Sequence, residues 1–273
     1  MREIETILDR GAKIPHRFEE FDGGHRWLPS ELAHDALGWF ELVAMKQERR
    51  PRDASLIARL FDKDLATAPA LEATNGLAAL RRYRAIARTF DGLRPIEPVL
   101  ATIERLEADR AIQRAEREEL QWDAFERQYL SEVHPRASIF IHEDRVAEGF
   151  RFAELKRRAK KSGAEGQTAR RLLEASYTQL GHYLPTQLFE SKKYDEAAIS
   201  LEAALQIHED RWTLWYNLGA AHARRRDKRH ALDALEKAIA HGFKDAKHLE
   251  ADEDYANVRG EAKFAALLAQ LKP

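Results

Sequence analysis

The stretch Trp212–Phe243, WTLWYNLGAAHARRRDKRHALDALEKAIAHGF, decides the fold. Its apolar residues recur at helical spacing on both sides of the charged run 224–229, which predicts two antiparallel helices joined by a turn. The preceding stretch, 178–211, carries the same residue types 34 positions earlier. The matched pairs are Leu184 with Leu218, Ala197 with Ala231, Leu201 with Leu235, Glu202 with Glu236, Ala204 with Ala238, and Leu205 with Ile239. A helical hairpin that recurs at this interval indicates a repeat protein.

The period and its residues resemble the tetratricopeptide repeat (TPR) family. The positions that fall on the family pattern are Trp215, Leu218, Gly219, Ala231, Leu235 and Ala238. His222 stands where an aromatic residue is usual, and Leu235 where phenylalanine is usual. The small residues have a physical reason, because Gly219 lets one helix approach its neighbour closely and Ala231 and Ala238 lie on one stripe of the second helix. The alternative is an ordinary helical bundle.

The TPR resemblance implies a binding surface for a protein or peptide partner. Members of the family present side chains of the first helix of each repeat along a concave face. By the positions of the family, the lining residues would be Gln179, His182, Thr186 and Phe189 from one repeat and Thr213, Tyr216, Asn217, Ala220 and Arg224 from the next. Tyrosine and arginine are common anchors of interfaces, which singles out Tyr216 and Arg224. Burial of some of these side chains by neighbouring helices is the alternative.

Composition narrows the class of protein. Apolar residues make up 44% and charged residues 33% of the 273 residues, which favours a helical protein with a charged surface. The net charge of −1 predicts no general attraction to nucleic acid or to an anionic membrane. The charged start MREIETILDR does not have the pattern of a secretory signal, so the cytoplasm is the default expectation, with the periplasm open if translation begins upstream. Cysteine is absent, and no cofactor is expected.

Residues 1–45 have a different pattern. A helix near the start is followed by a short, extended-looking strand at 17–21, a glycine turn ending in His25, and a helix from Ser30. This order resembles the last segment of a bacterial α/β-hydrolase of the dienelactone hydrolase or esterase type. In that family the histidine after the final strand is the general base of a Ser-His-Asp triad, so the resemblance assigns this role to His25. The alternative is a glycine turn with a surface histidine.

The chain departs from the hydrolase pattern because it contains no G-x-S-x-G nucleophile motif. A histidine without its nucleophile cannot catalyse acyl transfer, so no catalysis is expected from this chain alone. We therefore expect residues 1–45 to be a remnant of a hydrolase domain, and the chain to be the C-terminal part of a longer hydrolase–TPR protein. The two HEDR tetrapeptides, at His142 and His208, lack a second histidine one helical turn later, so no metal site is expected.

The sequence thus predicts a mainly α protein in three parts. These are a hydrolase remnant at 1–45, a helical connector at 46–166, and TPR-like hairpins with a capping helix at 167–273. Within the connector, residues 138–141 follow Pro135 and are predicted to form an extended link. Near the C-terminus, Phe264, Leu267 and Leu271 predict the inward face of the capping helix.

Three functions remain open at this level. The first is a TPR-type interaction or scaffolding module that binds a protein or peptide partner, or its own missing N-terminal domain. The second is the tail of a serine esterase or peptidase that supplies His25 to a catalytic domain. The third is homo-oligomerisation through the strand near Phe18, since an unpaired strand edge favours pairing with a second copy.

Overall fold

The structure is a computed structural model that describes residues 15–17, 27–142 and 145–271. Regular secondary structure in these ranges is helical throughout, which confirms the mainly α class. The chain divides into two compact units, Met1–Arg117 and Glu118–Pro273. No helix in the described ranges is both long enough and apolar enough to cross a membrane.

The first unit is a set of helices around one apolar core. Its helices are α1 (Ser30–Lys46), α2 (Ala54–Thr74), α3 (Gly76–Phe90), α4 (Glu97–Glu107) and the beginning of α5 (Arg110–His142). Asp53 and Asn75 begin α2 and α3, because each side chain accepts a hydrogen bond from a backbone N–H of the first turn. The edge-to-face contact of Phe61 with Phe90, with ring centroids 5.1 Å apart, lies at the centre of this core.

The predicted strand-plus-helix remnant of a hydrolase is not supported. The helix from Ser30 is present as α1, but the described part of the chain contains no strand. Of the predicted strand, only Arg17 lies within the described residues, where it has no regular secondary structure. Its guanidinium lies 3.2 Å from the carboxylate of Asp64 on α2, which also accepts a 2.8 Å hydrogen bond from Arg82. Arg17 is therefore held by a buried carboxylate of a helical unit. His25 lies outside the described residues.

The second unit contains the remainder of α5 and the helices that follow it. They are α6 (Val146–Gly149), α7 (Phe152–Ala159), α8 (Gly163–Thr178), α9 (Leu184–Glu190), α10 (Tyr194–Leu205), α11 (Trp212–Arg224), α12 (Lys228–Ala240), α13 (Ala246–Ala251) and α14 (Ala262–Leu271). A π-helical segment, Gln179–Tyr183, joins α8 to α9, and a 3-10 segment, Glu253–Val258, lies between α13 and α14.

The predicted extended link at residues 138–141 is wrong, because these residues belong to α5. Pro135 has no N–H to donate within the helix, which normally weakens it. The helix nevertheless continues, since Val133, Ala137 and Ile141 follow one another at four-residue spacing and all three are buried in the core of the second unit. Burial of this stripe outweighs the lost backbone hydrogen bond.

The two predicted hairpins are present. The long helical segment α8–α9 packs with α10, and α11 packs with α12. Ala197, Ala204, Ala231 and Ala238, which match in pairs across the repeat, have no exposed surface. Small side chains at these positions let the helices approach one another closely.

Helix α14 lies at the end of the repeats, as predicted. Phe264 and Leu267 are buried, while Lys263 points outward and forms ion pairs of 2.7 and 2.8 Å with Asp233 and Glu236 on α12. The apolar face of α14 thus covers α12, and its polar edge is tied to the same helix.

Gly219 is a point of close approach on α11, and the substitution Gly219→Ala tests it. An added Cβ would lie 2.4 Å from the hydroxyl of Tyr255 and 3.1 Å from the carbonyl oxygen of Ala231. We expect a net loss of about 1–2 kcal/mol in the free energy of unfolding in urea, because overpacking outweighs the gain in helix propensity. Gly260→Ala is the control, since nothing lies within 4 Å of its added Cβ, and should cause no loss. Unchanged stability of Gly219→Ala would contradict this account.

Candidate functional site

The positions predicted to contact a partner lie on the first helix of each hairpin, and we call them together the first-helix face. His182, Thr186, Thr213 and Asn217 are exposed. Gln179, Phe189 and Arg224 are partly buried, while Tyr216 and Ala220 are buried. The face is therefore only partly accessible, and the reason lies in what covers α11.

Tyr216 is covered by the chain itself. Its ring packs against Phe243 and Tyr255, with centroids 4.6 and 5.1 Å away. Its hydroxyl donates a 2.6 Å hydrogen bond to Oδ2 of Asp252, which precedes the 3-10 segment. Burial, followed by the neighbouring carboxylate of Asp252, raises the pKa of Tyr216 above its ordinary value. The phenol is thus a neutral donor inside the fold.

The 3-10 segment is attached to α11 by a second tyrosine. Tyr255 is fully buried, and its hydroxyl donates a 2.6 Å hydrogen bond to the carbonyl oxygen of Tyr216. Asp252 begins the segment, because its Oδ1 accepts from the N–H of Asp254 at 2.9 Å. The residues after α13 therefore occupy the part of α11 where a partner was predicted to bind.

Arg224, the other predicted anchor, is engaged within the unit. Its guanidinium donates two hydrogen bonds, of 2.7 and 3.0 Å, to the hydroxyl of Tyr194, and its Nε lies 3.6 Å from Oδ1 of Asp254. Burial and the nearby Asp252 raise the pKa of Asp254. Arg224 thus links the start of α10 to the 3-10 segment at one end of the first-helix face.

The accessible part of the face includes an exposed aromatic side chain on the first hairpin. Tyr183 is 55% exposed and its ring lies 5.1 Å from that of His182. Thr186, one turn later, is also exposed, and its hydroxyl donates to the carbonyl oxygen of His182 at 2.8 Å. Tyr183 is absent from the residues predicted from the sequence, although a large aromatic beside a predicted lining residue is a signal that points to it.

The π-helical segment positions this aromatic pair. Pro185 has no N–H, so it cannot donate to the carbonyl of Gly181 as a regular α-helix requires. The carbonyl oxygen of the preceding residue, Leu180, accepts a 2.7 Å hydrogen bond from the buried hydroxyl of Ser200 on α10, which ties the segment to that helix. Single-turn π segments of this kind are frequent at functional sites.

His222, the residue in place of the usual aromatic, is buried on α11. Nδ1 of its ring lies 3.5 Å from the guanidinium of Arg225, and its ring centroid lies 5.4 Å from that of His230. On its other side, Nε2 lies 3.9 Å from Oε1 of Glu202. Burial, and then the positive charge of Arg225, lower the pKa of His222, with Asp227 opposing the shift. His222 is therefore a neutral core residue near pH 7.

The described residues contain no group of three or more histidine or acidic side chains arranged to hold a metal ion. Comparisons with protein-family models, with curated proteins and with solved structures find no match to this chain.

The hydrogen bond between Tyr216 and Asp252 can be tested with Tyr216→Phe. The variant leaves a partly buried carboxylate without its phenol donor, so we expect the free energy of unfolding to fall by about 1–3 kcal/mol. Tyr183→Phe removes an exposed hydroxyl and should change stability by less than about 0.5 kcal/mol. Hydrogen exchange should show the loss of protection in residues 252–258, and equal stability of the two variants would contradict the assignment.

The buried imidazole of His222 predicts a pH dependence of stability. Its pKa in the folded state lies below the ordinary 6.5, so the unfolded chain binds the proton more readily. The stability that depends on neutral His222 is present above that ordinary pKa and is lost as the pH falls towards the lowered pKa. We expect urea unfolding between pH 7.5 and 5 to show a smaller loss of stability in His222→Gln than in the wild type. Parallel pH profiles would contradict this.

Proposed function

We propose that the second unit is a TPR-type module that binds a protein partner and serves as a scaffold. In this proposal, α8–α9 with α10 forms one repeat, α11 with α12 forms the next, and α14 is the capping helix. Support comes from the 34-residue correspondence and from the fully buried alanines that match across the two hairpins. The proposal requires a surface that remains accessible once the repeats are packed.

The observation that carries the proposal is the exposed aromatic and polar surface on the first hairpin. Tyr183 and His182 lie side by side, with Thr186 one turn away, and Thr213 and Asn217 are exposed on α11. An exposed tyrosine beside hydrogen-bonding side chains is typical of the residues that anchor protein interfaces. A peptide segment of the partner would bind across these residues.

The self-contacts of α11 limit where the partner binds. The 3-10 segment covers Tyr216, and Arg224 is engaged with Tyr194 and Asp254. The proposed contact surface is therefore the exposed part of the first-helix face around the π segment, and not the whole face implied by the family.

The alternative of a hydrolase tail receives no support from the described residues. Arg17, the first residue of the predicted strand, pairs with Asp64 of a helical unit, and His25 lies outside the described ranges. We therefore base the proposed function on the repeats alone.

The proposed surface can be tested with the triple variant His182→Glu, Thr186→Glu, Asn217→Glu. A bound partner would remove water from the three added carboxylates, and burying such charges without paired cations is costly. The triple variant should therefore abolish recovery of a specific partner from a lysate of the source cells. Recovered proteins would be identified by mass spectrometry in parallel with the wild type.

The matched control is the triple variant Ala265→Glu, Ala266→Glu, Gln270→Glu, which places the same charge on exposed positions of α14. It should recover the partner as well as the wild type does. Thermal unfolding must show that both triple variants are folded. Equal recovery by the two triple variants would refute the proposed surface.

A further inference from the structure

A cleft of about 450 Å³ opens between α10 and α12, with α11 beneath it. This volume lies in the range of sites that hold small molecules or peptide side chains. Trp215, Leu218 and His222 of α11 line it, and at 100° per residue they lie on the opposite side of α11 from Thr213 and Asn217. We call it the acidic cleft, and it is separate from the first-helix face.

The floor of the acidic cleft is apolar and preformed. Leu205 of α10, Leu218 of α11 and Ala234 of α12 each contribute one side chain to it. All three belong to the buried core of the second unit. The floor is therefore held by the packing of three helices and offers an apolar surface without rearrangement.

One wall of the cleft is acidic. Glu202, near the end of α10, and Glu209, in the turn that follows, both line it. The opposite wall carries Asp233 and Lys237, but Asp233 already forms a 2.7 Å ion pair with Lys263. The wall formed by Glu202 and Glu209 thus carries two carboxylates, of which Glu202 also lies 3.9 Å from Nε2 of His222. A ligand with a cationic group is complementary to this wall.

Trp215 adds an aromatic surface that accepts a cation. Its indole N–H donates a 2.8 Å hydrogen bond to the carbonyl oxygen of Glu209, which fixes the ring. The ammonium of Lys237 lies 4.1 Å from the centroid of this ring. This cation–π contact places the chain's own cation on the indole.

The surface continues beyond the acidic cleft. A second depression of about 190 Å³ shares Glu202 and Gln206 with it and lies on the adjoining side of α10. Val146, Ile199 and Ala203 give its apolar lining, and the ion pair of Arg145 with Glu148 gives part of its polar lining. Because the two depressions share one glutamate, a ligand that fills both must be elongated. A peptide chain has this shape, and a compact small molecule does not.

We propose that the acidic cleft binds an extended peptide segment of a protein partner in which a basic side chain is flanked by apolar ones. One apolar side chain would pack on Leu205, Leu218 and Ala234. The basic side chain would lie against Glu202 and Glu209, and the next apolar side chain would reach the depression beyond α10. This site is independent of the proposed first-helix surface.

The test uses a capped peptide of alternating leucine and arginine as the probe. Two-dimensional ¹H–¹⁵N NMR of the full chain follows the indole N–H signal of Trp215, which is assigned by its loss in Trp215→Phe. We expect this signal to move in a saturable manner with the leucine–arginine peptide. A leucine–serine peptide should bind more weakly, and a leucine–glutamate peptide should leave the signal unchanged.

Charge variants separate this site from non-specific attraction. Glu202→Gln with Glu209→Gln should weaken binding of the leucine–arginine peptide about tenfold, since two charged contacts are lost. Glu190→Gln with Glu250→Gln makes the same change in net charge at exposed positions away from the cleft and should leave binding unchanged. Lys237→Ala removes the chain's own cation from the indole and should strengthen binding of the leucine–arginine peptide.

The first-helix variant His182→Glu, Thr186→Glu, Asn217→Glu should bind the leucine–arginine peptide as the wild type does, which distinguishes the two surfaces. Three results would each overturn the proposal. They are an unmoved Trp215 signal, equal binding of the leucine–glutamate peptide, and equal weakening by the two pairs of glutamine variants.

Discussion

The second unit depends on the close approach of the 3-10 segment to α11 at Gly219. Any side chain at this position would meet the hydroxyl of Tyr255, so only glycine allows Tyr255 to donate its hydrogen bond to the carbonyl of Tyr216. Tyr255 belongs to one buried cluster with Phe243, Leu249 and Val258. The absence of a side chain at Gly219 thus allows the segments after α12 to pack against α11.

This closure gives α11 two sides with different roles. On one side, Tyr216 and Ala220 are covered by the chain, while Thr213 and Asn217 remain exposed beside the first hairpin. On the other side, Trp215 and its neighbours form the base of the acidic cleft. Because α11 is held by packing on both hairpins, these two surfaces are preformed, and the binding that we propose at each would need little ordering of the backbone.

Sequence pattern predicts the hairpins well because their burial is periodic. Ala197, Ala204, Ala231 and Ala238 repeat at helical spacing, and this spacing reports which face of each helix is buried. The sequence pattern fails after Pro135, because the missing N–H of proline predicts an extended link at residues 138–141. The helix continues through Pro135 because the buried side chains around Ala137 pack with distant helices, and this packing outweighs the cost of one proline.

The sequence by itself determined the helical class, the hairpins, the need for glycine at 219 and the covering role of α14, since each follows from local residue spacing. Tertiary structure alone decided that Tyr216 is buried and that Tyr183 is exposed. Tyr216 is covered by Asp252 and Tyr255, which bind its hydroxyl and its backbone carbonyl and lie 36 and 39 residues away in the chain. Both belong to a segment without the repeat period. Helical periodicity shows which side of a helix faces a neighbour, but accessibility depends on which distant residues cover it.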